Sequence, residues 1–174
     1  SAYSAANKSD IPVIFCAVSD PVAAGLTESL EAGYNNCNGT SDILDFSAQV
    51  DLIQSIQPDV KKIGVLYTTT EANSMSQLES FKVVCTEKGI EVVDQGVSGA
   101  ADIPQAATTL ASQVDCINNF TDNNVVNNLS IVLEKANAAN IPVYGSEIEQ
   151  VKNGCLASIS IDYIALGKKT AEMG

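Results

Sequence analysis

The chain lacks the residues on which several common kinds of site depend. Its 174 residues include no histidine and no tryptophan. The absence of histidine excludes histidine-based acid–base catalysis and most zinc or copper sites. The sequence also lacks a Cys-x-x-Cys pair, a P-loop, a Gly-x-Gly-x-x-Gly loop and a Gly-x-Ser-x-Gly elbow. An enzyme that uses its carboxylates stays an alternative, but no carboxylate pair lies at an informative spacing. We therefore expect a protein that is not an enzyme, with no catalytic residues, no metal site and no cofactor.

Positive charge and long apolar runs are also scarce. Nine basic residues stand against 21 acidic ones, which gives a formal net charge of -12. This balance argues against nucleic acid as a partner, because phosphates require a basic surface. No apolar run reaches the roughly 18 residues of a membrane-spanning helix. A hydrophobic content of 45% nevertheless predicts a packed core.

The five cysteines do not indicate a redox compartment. Cys16, Cys85 and Cys116 lie in apolar periodic segments and are predicted to be small core residues. Cys37 and Cys155 have more polar neighbours, so either a single disulfide between them or two free thiols is compatible with the sequence.

A regular alternation of strands and helices occupies the centre of the chain. Apolar runs predict strands, and residues at helical spacing predict the helices that separate them. The strands are at residues 63–67, 90–97, 114–117 and 141–144, and the helices are at 74–88, 104–112 and 124–139. This succession predicts an α/β fold with a flavodoxin-like, doubly wound parallel sheet over residues 58–145.

The flanking segments indicate a second, incomplete lobe. An Ile-Pro-Val strand follows an Ala/Asn-containing segment at residues 11–13 and again at 141–143, which indicates two similar lobes. Residues 1–7 are predicted to form a helix, and 47–57 another. No strand precedes the first helix, so we expect the chain to be an internal fragment. The predicted domains are a partial lobe one at 1–35, a hinge crossing with a linking helix at 36–57, a complete lobe two at 58–145 and a return crossing at 146–174.

Polar clusters follow the predicted strands and form the candidate site. They are residues 68–74, residues 119–123, and Ser146 with Glu147, while Asp20 follows the first strand. Parallel strands bring such loops to one edge of their sheet, where open α/β sheets bind ligands. An alternative is that Asn73, Ser74, Thr121 and Asp122 are only helix caps. The Thr-rich loop also leaves open a flavodoxin-like electron-transfer or small-molecule sensory domain, although Glu71 would repel a phosphate there.

Several motifs together resemble a known family. They are Ser19-Asp20-Pro21-Val22 within residues 11–26, Lys62-Ile-Gly-Val-Leu-Tyr67, Glu71-Ala-Asn-Ser74, Thr121-Asp-Asn123, Ile141-Pro-Val143 and Asp162-Tyr163. In this order they are similar to the substrate-binding proteins of ABC importers, in the tryptophan/tyrosine-binding subfamily. The resemblance implies a periplasmic-binding-protein type I-like fold whose two lobes close on an amino acid. It also implies ABC permease subunits as partners, and an extracytoplasmic bacterial protein attached to the membrane only by a lipid anchor outside this chain.

The resemblance also implies a set of ligand contacts. Carried over by position, these contacts involve Ser1, Asp20, Thr68, Glu71, Asn73, Ser74, Asp122, Asn123 and Ser146. Helix N-termini at Ser1 and Ser74 would face the carboxylate of an amino acid, and Asp20, Glu71 or Asp122 would hold its ammonium group. Tyr67, Phe120 and Tyr144 are the candidate stacking partners for an aromatic side chain, or alternatively core residues.

Overall fold

Helices and strands alternate through most of the chain. The computed structural model describes residues 2–6, 9–31 and 36–173. In chain order the elements are α1 (Ala2–Ala6), β1 (Val13–Phe15), β2 (Cys37–Gly39), α2 (Phe46–Ile56), β3 (Lys62–Thr68), α3 (Ala72–Glu87), β4 (Glu91–Val97), a 3-10 turn (Ala100–Asp102), α4 (Ile103–Ala111), β5 (Cys116–Asn118), α5 (Asn123–Asn127), α6 (Leu129–Ala138), β6 (Val143–Tyr144), α7 (Ile148–Lys152) and α8 (Tyr163–Glu172). None of the described helices is long and apolar enough to cross a membrane.

The chain divides into two compact units. Unit 1 consists of Ser1–Leu44 with Ile161–Gly174, and unit 2 consists of Asp45–Ser160. The finer sequence-based division, with a complete lobe over residues 58–145 and crossings on either side, stays a prediction.

Unit 2 contains a four-stranded parallel sheet in the order β4-β3-β5-β6. Strand β3 pairs with β4 over seven residues, from Lys62 opposite Glu91 to Thr68 opposite Val97. Its ladder with β5 is much shorter and joins Ile63 to Cys116 and Gly64 to Ile117. The chain passes from β3 to β4 on one side of β3, and then from β4 to β5 on the other side of β3. The predicted doubly wound parallel sheet is confirmed.

Helices cover both faces of this sheet. The buried residues of α4 and α6 form one cluster with Leu66 and Ile117. Ile63 and Val65 are also fully buried, and they project to the opposite face because side chains alternate along a strand. On that face α2 contacts α3. Both faces of β3 are therefore buried, which explains its nearly continuous apolar sequence.

The helices differ from the sequence-based expectation in two details. The predicted helix 124–139 is two helices that meet at Asn128, whose Nδ2 donates to the carbonyl of Asn124 at 2.8 Å. Asparagines are weak helix formers because their side chains compete for such backbone groups. Ile56 shares the helical spacing of Val50 and Ile53, which predicts burial on the apolar face of α2, but it is exposed. Helix α3 ends as expected at Gly89, which has a φ of +71°.

Unit 1 contains a two-stranded parallel sheet. Strand β1 pairs with β2 from Val13 opposite Cys37 to Phe15 opposite Gly39. The sequence predicted a hinge crossing at β2, and a strand that begins at residue 11 rather than at Val13. Strand β1 is short because Pro12 has no N–H to donate, and because Ala17 turns the backbone to a φ of +52°.

The prediction that Cys16 is a core residue is wrong, since Cys16 is exposed. Cys85 and Cys116 are buried as expected, and Cys37 and Cys155 are buried free thiols rather than a disulfide.

Candidate functional site

The loops after β3 and β5 meet at the carboxyl edge of the sheet in unit 2, and we call the surface between them the crevice, since open α/β sheets bind ligands at this edge. The chain leaves these neighbouring strands toward opposite faces, which makes their boundary the topological switch point where doubly wound sheets bind ligands. The two loops that flank it are residues 69–71 after β3 and residues 119–122 after β5. We call them loop A and loop B. They contain two of the polar clusters selected from the sequence.

Asp122 links the two sides of this crevice. Its Oδ2 accepts hydrogen bonds from the Thr68 N–H at 2.6 Å and from the Ser74 hydroxyl at 2.7 Å. Its Oδ1 accepts from the Thr68 hydroxyl at 2.8 Å and from the Val125 N–H at 3.0 Å. Asp122, Thr68 and Ser74 are almost completely buried. The carboxylate therefore caps α5 and also holds the end of β3 and the first turn of α3.

A second link lies nearer the surface. Glu71 Oε2 accepts from the Asn123 N–H at 3.2 Å and from Asn123 Nδ2 at 3.0 Å. Glu71 is half-buried and Asn123 is exposed. This pair places a carboxylate at the mouth of the crevice, within reach of solvent.

The first turn of α3 also faces loop A. The sequence predicted Asn73 or Ser74 as its N-cap, and this prediction is wrong: the N-cap is Glu71, whose side chain makes no capping hydrogen bond. Ser74 is the third residue of the helix, and its hydroxyl donates to Asp122. The helix thus begins with N–H groups that its N-cap side chain does not satisfy, next to the Glu71 carboxylate. Such an end favours a negative charge, but the neighbouring Glu71 carboxylate repels an anion that does not also bring a positive group to pair with it.

Below the crevice lies a buried amide network that the sequence analysis missed. Gln49 Nε2 donates to Asn118 Oδ1 at 2.8 Å and to the Gly145 carbonyl at 3.0 Å, and its Oε1 accepts from the Ile159 N–H at 2.8 Å. Gln49 lies directly before Val50 on the buried face of α2. A glutamine at the edge of an apolar stripe was the available signal, since a buried amide must find partners.

Ser146 belongs to the same network. Its hydroxyl donates to the Asn119 carbonyl at 2.7 Å, and its N–H donates to Gln150 Oε1 at 3.2 Å. The side-chain atoms Asn118 Nδ2, Asn119 Oδ1 and Gln77 Oε1 are buried without a hydrogen-bond partner among the described residues. The structure thus brings Thr68, Glu71, Asn73, Ser74, Asp122 and Asn123 together at one crevice, with Ser146 beneath them in a structural role.

The candidate stacking residues differ in accessibility. Phe120 is completely buried and packs against Phe46 and Phe81, with ring centroids 5.4 and 5.5 Å away. Tyr144 is also buried, and its hydroxyl donates to Gln57 Oε1 at 3.0 Å. These two rings are core residues. Tyr67 is half-buried, and burial together with the nearby Asp94 carboxylate raises its pKa.

The two remaining predicted contacts belong to unit 1. Asp20 Oδ1 accepts from the Ala23 N–H at 2.9 Å, which is the geometry of a turn-initiating aspartate. Ser1 lies outside the described residues. The part of the chain that the structure describes contains no cluster of histidine, cysteine or acidic residues that could hold a metal ion.

Comparisons with known proteins agree on one family. A family model described as ABC transporter substrate binding protein matches residues 1–174. The tyrosine-binding protein of Clostridioides difficile strain R20291 is 41% identical over 164 residues, which are 94% of this chain and 48% of that protein. The crystal structure of an ABC domain in complex with L-Trp from Streptococcus pneumoniae is 35% identical with a TM-score of 0.88, and the match covers 97% of this chain and 59% of that one.

A further solved structure is in a ligand-free, open form. This substrate binding protein with adhesive properties from Clostridium difficile is 38% identical with a TM-score of 0.80, over 99% of this chain and 59% of that one. The chain thus spans about half the length of the curated relative and 59% of each of these two solved chains.

Proposed function

Because the chain belongs to the ABC transporter substrate binding protein family, we propose that it is the solute-capturing part of an importer for an aromatic amino acid. The family resemblance read from the sequence is confirmed, and the family is one of solute-binding proteins rather than enzymes. The proposal further includes an extracytoplasmic location and ABC permease subunits as partners. The observation that carries it is the crevice at the switch point of unit 2, where loop A and loop B are held together.

The chemistry of this crevice suits an amino-acid zwitterion. The sequence contains no arginine, so a ligand carboxylate requires another partner. The first turn of α3 supplies N–H groups and the positive end of a helix dipole. Glu71 lies at the start of the same turn and supplies the opposite charge. Its half-buried carboxylate binds the ammonium group by a charge-assisted hydrogen bond.

The remaining contacts form two groups. Asn73 and Asn123 flank the crevice and contact the ligand with their amide groups, while Thr68, Ser74 and Ser146 shape it from below. Tyr67 is the aromatic residue of β3 that retains some exposure. The aromatic ligand class is supported by two relatives, one named for tyrosine and one in complex with L-Trp. Contacts from Ser1 and Asp20 stay predictions.

A thermal-melting panel tests this proposal. A ligand that binds the native state alone must raise the melting temperature, so L-Trp, L-Tyr or L-Phe should raise it, while tryptamine and indole, which lack the carboxylate, should not. Glu71→Gln should weaken binding about tenfold to a hundredfold, the effect of losing a charged hydrogen bond. Glu79→Gln is the matched control, since Glu79 lies on the exposed side of the same helix.

Three outcomes would contradict the proposal. They are a panel without any shift, equal affinity in wild type and Glu71→Gln, or a yellow protein with flavin absorption bands. The last would support the electron-transfer alternative instead.

A further inference from the structure

The ladder between β3 and β5 is short, and their carboxyl ends do not pair with each other. Only Ile63 and Gly64 of β3 pair with β5, although β3 continues to Thr68. Between Gly64 and Thr68, therefore, β3 has no ladder to its neighbour on this side. The width of the crevice at Thr68 must be set by contacts other than the sheet itself.

Asp122 supplies those contacts. Each of its two carboxylate oxygens accepts two hydrogen bonds, and each oxygen has one donor in Thr68. The remaining donors are the Ser74 hydroxyl in α3 and the Val125 N–H in α5. None of the ion pairs among the described residues involves Asp122, so these four donors are the groups that stabilise its buried carboxylate. One side chain thus holds loop B to the end of β3 and to the starts of α3 and α5.

We propose that Asp122 is a positioning residue that sets the distance between loop A and loop B, and through it the affinity for the ligand. This inference rests on the proposed function in one respect: the ligand is the one captured at this crevice. It reassigns Asp122, which the family resemblance implied as a direct ligand contact. Both of its oxygens are occupied and its side chain is 0% exposed, so its influence passes through Thr68 and Ser74.

Asp122→Asn tests the role with minimal change of shape. An amide has one accepting oxygen and one donating nitrogen. In either orientation its NH₂ group would face a backbone N–H, that of Thr68 or that of Val125. The hydroxyls of Thr68 and Ser74 can rotate to accept, but the backbone groups cannot. The substitution therefore breaks one side of the link whichever way the amide turns.

A second aspartate offers a matched control. Asp115 Oδ2 accepts from the N–H groups of Lys61 and Lys62, both at 2.8 Å. It links the same two strands at the amino edge of the sheet, the edge opposite the crevice. Asp115→Ala removes a comparable strand-to-strand link without touching loop A or loop B.

Two readouts distinguish positioning from general stability. The first is amide hydrogen exchange of the ligand-free chain, which reports local opening. Asp122→Asn should increase exchange about tenfold in residues 69–75 and in residues 123–127, as expected for a lost buried hydrogen bond. Asp115→Ala should increase exchange near residues 60–63 only.

The second readout is the dissociation constant for L-Trp or L-Tyr at a temperature where each variant is fully folded. Asp122→Asn should raise it about tenfold, and Asp115→Ala should leave it within about twofold of wild type.

The outcomes separate this proposal from the proposed function. Unchanged exchange in residues 69–75 of Asp122→Asn overturns the positioning role, with or without a ligand. Wild-type affinity in a folded Asp122→Asn also overturns the positioning role.

If Asp122→Asn does not fold, Thr68→Val and Ser74→Ala each remove one hydroxyl that donates to Asp122. Wild-type exchange and affinity in both variants would overturn the positioning role. Thr68→Ser keeps the hydroxyl that donates to Asp122, so exchange in residues 69–75 should increase less than in Thr68→Val. If wild type binds no aromatic amino acid, the proposed function fails, while the exchange experiment still decides the role of Asp122.

Discussion

Phe120 offers a direct test of the division between core and site in unit 2. It follows β5 at the carboxyl edge of the sheet, yet its ring is completely buried against Phe46 and Phe81. Phe120→Ala would remove a buried ring and leave a cavity, which costs about 3–5 kcal/mol. The two ring–ring contacts, at centroid distances of 5.4 and 5.5 Å, place the expected loss toward the upper end of that range.

Urea unfolding followed by far-UV circular dichroism measures this loss. A decrease of about 4 kcal/mol lowers the ratio of folded to unfolded protein by about a factor of a thousand, and the midpoint should fall accordingly. Val83→Ala is the control, because Val83 is exposed on α3 and its truncation should change stability by no more than about 0.5 kcal/mol. A loss below about 1.5 kcal/mol for Phe120→Ala would refute the reasoning, since it would mean that the ring is not part of a packed core.

Further predictions concern the turn after α3 and the cysteines. Gly89→Ala should cost about 1 kcal/mol in urea unfolding because the φ of Gly89 is +71°, whereas Gly99→Ala, in extended backbone with open space around it, should cost nothing measurable. Equal effects would contradict this. In native protein at pH 8, a thiol reagent should modify Cys16 alone, since the other four thiols are buried; fast modification of two or more would be inconsistent with the structure. Burial raises the pKa of Cys85 and of Cys155 from 9.0 to about 12. The unfolded chain therefore loses these protons first, and the free energy of unfolding should decrease as pH rises above 9. A constant urea midpoint from pH 8 to pH 10.5 would contradict that sign.

Much of unit 2 was predictable because its signals are local and strong. The run from Ile63 to Leu66 is apolar at every position except Gly64, which is typical of a strand buried on both faces of a parallel sheet. Gly89 indicates where α3 ends, and the helical spacing of apolar residues in α4 indicates that helix. The candidate loops could then be placed, since strand order in a doubly wound sheet determines which edge they share.

The internal links of the site were less predictable. That Asp122 would bind Thr68 and Ser74, about 50 residues earlier in the chain, depends on how far β3 continues past its ladder with β5. The short β2 strand was missed because Cys-Asn-Gly has little strand propensity and is formed by pairing with β1. The burial of Phe120 was left open for a similar reason: an aromatic residue after a strand can face a ligand or a core, and only the neighbouring rings of α2 and α3 decide which.

The central claim is that an aromatic amino acid binds at the crevice formed by loop A and loop B. The most direct measurement is a titration of the ¹⁵N-labelled chain with L-Trp and L-Tyr, followed through backbone amide chemical shifts. The account predicts saturable changes concentrated in residues 68–75 and 119–124, and their loss when the ligand carboxylate is removed, as in tryptamine. Saturable changes centred elsewhere in the chain, or no change with any aromatic amino acid, would contradict it.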